Sequence, residues 1–246
     1  DLHLPSLAQH FSAPEGYIGH FGWIVGFSAD SAFMNDAVER FTGNTKMQRA
    51  SQGRIALVLF LNKHNPPITM EDAPGVAHLP FADLKKNPCR LVHAKVAILG
   101  FRGEDAERQG KWCVRLLVST GNWTQQTLEQ SLDLAWAIDV YSDKLHQSND
   151  ATQTACADIK AANSLFTWLR DGADGFFDTS LPKATQEAQD AQIAVKNWIV
   201  QCEKKAKGTP RFFDNRKSSM FQSLPKLVKK TGDVKRNYLA LGLLKI

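Results

Sequence analysis

The chain has 246 residues, 43% hydrophobic and 22% charged, a profile that fits a folded globular protein and excludes a disordered or fibrous one. No run approaches the roughly 18 apolar residues of a membrane-spanning helix, and no leader-like charged and apolar stretch points to export. Lys and Arg number 30 against 25 Asp and Glu, so the net charge of +5 favours anionic partners. A chain that opens on Asp1 rather than Met is expected to be processed or trimmed. The four cysteines, Cys89, Cys113, Cys156 and Cys202, form no CxxC pair and lie at no zinc-ligand spacing. The expectation is four reduced thiols in a cytoplasmic protein, with no bound metal and no cofactor.

In chain order, 17–28 (YIGHFGWIVGFS) reads as a buried strand containing glycines. Residues 32–41 have helical spacing, with Ser31 as N-cap and Gly43 as stop. The run 55–61 (IALVLFL) suits a strand covered on both faces. Residues 62–80 carry Asn65-Pro66-Pro67, Pro74-Gly75 and Pro80 and read as loop. Two apolar runs, 90–101 and 112–119, are joined by the polar tip 102–110 as a hairpin. A short helical turn over 124–130 and a strand over 132–141 follow. Beyond about residue 150 the spacing turns helical, over 151–171 and 183–206, with Asp178-Thr179-Ser180-Leu181-Pro182 between them. Gly208-Thr209-Pro210 breaks the second helix, and a helix over 218–230 and a strand over 237–244 are expected after it. These elements predict an α/β fold, a mixed β-sheet flanked by helices with a helical C-terminal segment. The expected division is 1–150 and 151–246.

The chemistry concentrates in two places. His93-Ala94-Lys95 stands on the first run of the hairpin, and alternation on a strand would put His93 and Lys95 on one face. Ser119-Thr120-Gly121-Asn122 ends the second run. An imidazole, a cation and an amide converging at adjacent strand ends suit a phosphodiester. The imidazole attacks phosphorus or protonates the leaving oxygen, and Lys95 and Asn122 hold the anionic oxygens. Each residue also has a plain structural reading. His93 can be a satisfied core histidine, Asn122 a turn residue, Ser119 and Thr120 caps, and Trp123 a packing residue. Lys95 on the same face as His93 argues against the plain reading, because a buried lysine needs an anionic partner.

His93-x-Lys95 followed by Gly121-Asn122 resembles the phospholipase D superfamily. The family's motif often carries Asp five residues after the Lys, where Gly100 stands here. That departure is similar to the branch with His, Lys and Asn only, which includes the tyrosyl-DNA phosphodiesterases and related nucleases. Leu132-Asp133-Leu134 looks like the acidic strand that follows the family's turn, and the resemblance makes Asp133 the residue that orients the catalytic His. The resemblance covers roughly 17–141, with a weaker echo over 211–244. It implies a metal-independent phosphodiesterase acting through a phospho-histidine. Such enzymes use two His-x-Lys motifs at one site, and this chain has one. The second is expected from a missing C-terminal segment or from a homodimer partner.

From Lys204 to Arg236 there are eleven Lys and Arg against Asp214 and Asp233. Nucleic acid is therefore the expected substrate, bound through Ser119, Thr120 and the cluster Lys226, Lys229 and Lys230. A lipid phosphodiesterase and a catalytically incomplete binding module are the alternatives.

Overall fold

The computed structural model describes residues 6–62, 64–80, 92–130, 133–147, 149–172, 186–216, 218, 219 and 222. The chain divides into two compact units, Asp1–Phe213 and Asp214–Ile246. The expected boundary at residue 150 thus falls inside the larger unit, because the helices beyond it pack on the sheet. The expected helix over 218–230 and strand over 237–244 lie outside the described residues apart from isolated positions.

The strands are β1 (Tyr17–Gly26), β2 (Leu57–Leu61), β3 (Val76–Pro80), β4 (Val96–Gly103), β5 (Trp112–Ser119) and β6 (Ala135–Tyr141). They form one six-stranded sheet in the order β3-β2-β1-β4-β5-β6. β1, β2 and β3 run parallel, and β4, β5 and β6 continue from β1 as antiparallel neighbours. The sheet is mixed, as the sequence predicts. β3 corrects the reading of 62–80 as loop throughout. Pro80 is its last residue, where a missing N–H is tolerated.

Parallel pairing requires a crossover, supplied between β1 and β2 by α1 (Ser31–Thr42) and α2 (Lys46–Gln52). Asp30, not Ser31, caps α1, its Oδ1 accepting from Phe33 N–H at 2.8 Å. Gly43 ends the helix at φ 67°, as expected. α2 is not among the elements expected from periodicity, although Thr45-x-x-Gln48 is a reciprocal capping box, with Thr45 N–H bonded to Gln48 Oε1 at 2.8 Å.

Alternate side chains of the inner strands feed two cores. Ile24, Leu57, Leu59, Leu99 and Leu117 meet Phe33, Met34, Val38 and Phe41 of α1 on one face. Trp23, Val25, Phe60, Ile98 and Leu116 meet α4 (Asp150–Gly172) and α5 (Gln186–Lys205) on the other, through Ile159, Phe166, Leu169, Val195 and Ile199. Among the described residues no helix is long and apolar enough to cross a membrane. Cys113, Cys156 and Cys202 are free and buried, while Cys89 lies outside the described residues.

Two polar clasps close the unit. Arg115 on β5 makes a bidentate pair with Asp139 on β6, both bonds 2.7 Å, and donates at 2.8 Å to the carbonyls of His10 and Ser12. It thereby fixes the 3₁₀ turn Leu7–Phe11 against the sheet. Asp158 on α4 is fully buried and accepts from the Phe212 N–H at 2.9 Å and from Arg211 Nε at 2.9 Å.

Gly100 lies at a close helix–sheet approach. A Cβ there would stand 2.4 Å from Val195 Cγ2 on α5. Gly100→Ala should destabilise the protein by about 1–3 kcal/mol through overpacking. Gly100→Asp, which adds a buried unpaired charge, should prevent stable folding at 37 °C; urea unfolding of both variants measures this.

His20 on β1 stacks on Trp198 of α5 with ring centroids 5.5 Å apart. Burial, with the cations of Arg54 and Arg102 beside it, lowers its pKa to about 4. The unfolded chain binds this proton nearer pH 6.5, so the fold loses stability as pH falls from 6.5 towards 4. His20→Phe should remove part of that loss, seen as a flatter fall of Tm between pH 7 and 4.

Candidate active site

β1 ends, β4 begins and β5 ends at one edge of the sheet, since Val25 pairs with Val96 and Val96 with Val118. In open α/β sheets ligands gather where parallel strands end, and here that edge carries the predicted residues. Residues 92–95 precede β4 and are not strand, and Arg90 and Leu91 lie outside the described residues. Strand alternation is therefore not what joins His93 to Lys95. His93 is exposed and Lys95 only 6% exposed, and the lysine reaches back so that Nζ lies 2.8 Å from His93 Nδ1 and 3.2 Å from Nε2.

An ammonium only donates, so the ring nitrogen it meets carries a lone pair and the imidazole is neutral. Burial and the Lys95 cation both hold the His93 pKa below its usual value. Burial lowers the Lys95 pKa too, and the negative charge of Asp133 opposes that shift. The ring of Phe27, just beyond β1, lies 4.9 Å from that of His93 and backs it.

The 119–122 turn is tied to the same place by Ser119 N–H donating to the Lys95 carbonyl at 3.0 Å. Ser119 Oγ is buried and accepts from Gly121 N–H at 3.0 Å, so it caps the turn. Thr120 Oγ1 donates to Asp133 Oδ1 at 2.8 Å and accepts from Leu134 N–H at 2.9 Å. Among the described residues, then, the hydrogen bond of Asp133 goes to Thr120 and not to His93. Its carboxylate acts on the site through charge on Lys95. Gly121 is required by this arrangement, because a Cβ would meet Asp133 Cγ at 2.7 Å.

Asn122 is half-buried, and its Oδ1 is buried without a hydrogen-bond donor among the described residues. Its position is set by Trp123, which is fully buried and donates from Nε1 to the Val25 carbonyl at 2.9 Å. Phe11 and Phe33 each pack on that indole at 5.8 Å. Trp123 is thus the packing residue of the site. The main chain reinforces it, with Trp123 N–H on the Ser28 carbonyl at 3.1 Å and Asp30 N–H on the Trp123 carbonyl at 3.0 Å.

Phe27 and Asp30 were missed by sequence reading. Asp30 caps both α1 and, through Oδ2 to Gln125 N–H at 2.8 Å, α3 (Gln125–Gln130). Its only sequence signal is an Asp-Ser pair before an apolar period. Lys226, Lys229 and Lys230 lie outside the described residues. Of the other basic residues in that stretch, Arg211 is bound by Asp158 and Arg216 by Asp214 at 2.8 Å, so both have internal partners.

No family model matches the chain, and comparison with curated proteins finds no match.

Replacing Lys95 by Met keeps the length of the side chain and removes the charge. The His93 pKa should then rise towards 6.5 while staying below it, because burial persists; the ring-proton NMR titration of His93 measures the change.

Proposed function

We propose that the chain is a metal-independent phosphodiesterase acting on nucleic acid, with His93 as the nucleophile. The observation that carries this reading is the buried Lys95 ammonium held 2.8 Å from a neutral, exposed imidazole. Substrate binding would move the Lys95 donor from the ring nitrogen to a phosphoryl oxygen. That transfer frees the imidazole lone pair at the moment the phosphate arrives.

His93 then attacks phosphorus, a P–N bond forms and the P–O bond to the leaving group breaks. A general acid protonates the leaving oxygen, and water afterwards cleaves the P–N bond and returns His93. Lys95 and Asn122 offset the charge that grows on the non-bridging oxygens. Thr120 and Asp133 hold the lysine's surroundings in place. The acid has to be a second imidazole, from another segment or a second copy of the chain. The resemblance of His93-x-Lys95 and Gly121-Asn122 to the His, Lys and Asn branch of the phospholipase D superfamily supports the same chemistry, and the basic stretch from Lys204 supports a polyanionic substrate.

Cleavage of single-stranded DNA should persist in EDTA and disappear in His93→Asn. Asn122→Ala should lower kcat by about 10²–10³, as loss of one oxyanion donor does. A phospho-histidine, whose P–N bond is acid-labile and alkali-stable, should be trapped by an alkaline denaturing quench in the first turnover and lost on acidification. Activity on phospholipid vesicles with none on DNA would make the substrate lipid. DNA binding without cleavage at any protein concentration would make the chain a binding module.

A further inference from the structure

A second cationic place lies at the opposite end of the sheet. Ile18 pairs with Arg102 and Gly19 with Phe101, where β1 begins and β4 ends. Val96 and Arg102 are six residues apart on a strand, about 20 Å. A cavity of about 270 Å³ opens there. Arg49, Arg54, Arg102, Asn44, Gln52 and Glu187 are among the residues that line it.

The three arginines differ in what they have to offer. Arg49 is 2% exposed and structural, donating to the Pro74 carbonyl and to Asn35 Oδ1, both at 2.9 Å. It contributes a fixed charge to the wall. Arg54 donates to the His20 carbonyl at 2.7 Å and to Glu187 Oε1 at 2.8 Å, and its Nε is buried without a partner among the described residues. Arg102 is exposed, and its side chain has no hydrogen-bond partner among the described residues. Glu187 is the acid on the lining, with a side chain 68% exposed. Exposed ion pairs are weak and exchange easily. An anion with more oxygens than one carboxylate can take the Arg54 donor from Glu187.

We propose that this cavity binds the phosphate group of a small phosphomonoester, held by the guanidiniums of Arg54 and Arg102. Forked guanidinium donors match the several terminal oxygens of a phosphate, and the neutral amides of Asn44 and Gln52 add donors at no charge cost. The volume is at the lower end for ligand cavities, enough for a phosphate with a sugar-sized substituent and too small for a dinucleotide. The proton affinity of the neighbouring His20, held down in part by Arg54 and Arg102, is consistent with a local excess of positive charge. The site does not depend on the reading of His93.

Titration calorimetry on the full chain tests it, with inorganic phosphate, ribose 5-phosphate and succinate as separate probes. Ribose 5-phosphate should bind most tightly, phosphate more weakly and succinate weakest. Arg102→Gln, a surface change, should weaken ribose 5-phosphate by about tenfold or more. Glu187→Gln should tighten it, because the competing carboxylate is gone. Lys95→Met should leave it unchanged, which separates this cavity from the His93 edge. An unaltered Kd in Arg102→Gln, loss of binding in Lys95→Met, or succinate binding as tightly as the phosphates would overturn the proposal. So would no heat with any probe at 10 mM.

Discussion

Taking an ammonium out of water is costly unless lone pairs and negative charge replace the lost hydration. Lys95 meets that condition through a short list of neighbours, and the neighbours arrange everything around it. His93 gives a ring nitrogen, Asp133 gives charge, and the Lys95 carbonyl receives the N–H of Ser119. Asp133 is steadied by Thr120, and Thr120 by the main chain at Leu134. The same burial holds down the proton affinity of the imidazole, so the cost of placing Lys95 and the neutrality of His93 share one cause.

The turn that carries Asn122 is held by a different force. Trp123 drives its indole into the core between Phe11 and Phe33 and fastens it to the end of β1 by a hydrogen bond. The 3₁₀ turn that brings Phe11 there is itself clasped by Arg115. The amide of Asn122 therefore inherits its placement from apolar packing on one sheet face, while Lys95 inherits its placement from electrostatics. Two independent supports under one site give it rigidity that neither would supply alone.

Much of the architecture was legible because periodicity survives in the sequence. β1, β2, the β4–β5 hairpin, α1, α4 and α5 all follow from apolar spacing and their breakers. β3 was not legible, since its short apolar stretch sits among prolines and glycine that outweigh five residues of pattern. The pairing of His93 with Lys95 was legible, but not its cause. Alternation holds only within a strand, and residues 92–95 lie before β4 begins. Asp133 shows the limit of motif reading in another way. Its partner is Thr120, thirteen residues back, and only the folded turn reveals this. Arg211 looked like one more free cation in a basic run, because nothing local announces a buried carboxylate 53 residues upstream.

Gly100 and Val195 belong to distant parts of the chain and meet on the face of the sheet covered by α5. The contact binds the identity of one position to the size of the other. Any homologous sequence that carries a larger residue at position 100 must carry a smaller one at 195, or move the helix. Residue choice at the strand and at the helix should therefore change in concert through descent. An acid at position 100 becomes compatible with this fold only in a chain whose helix has already stepped back from the sheet.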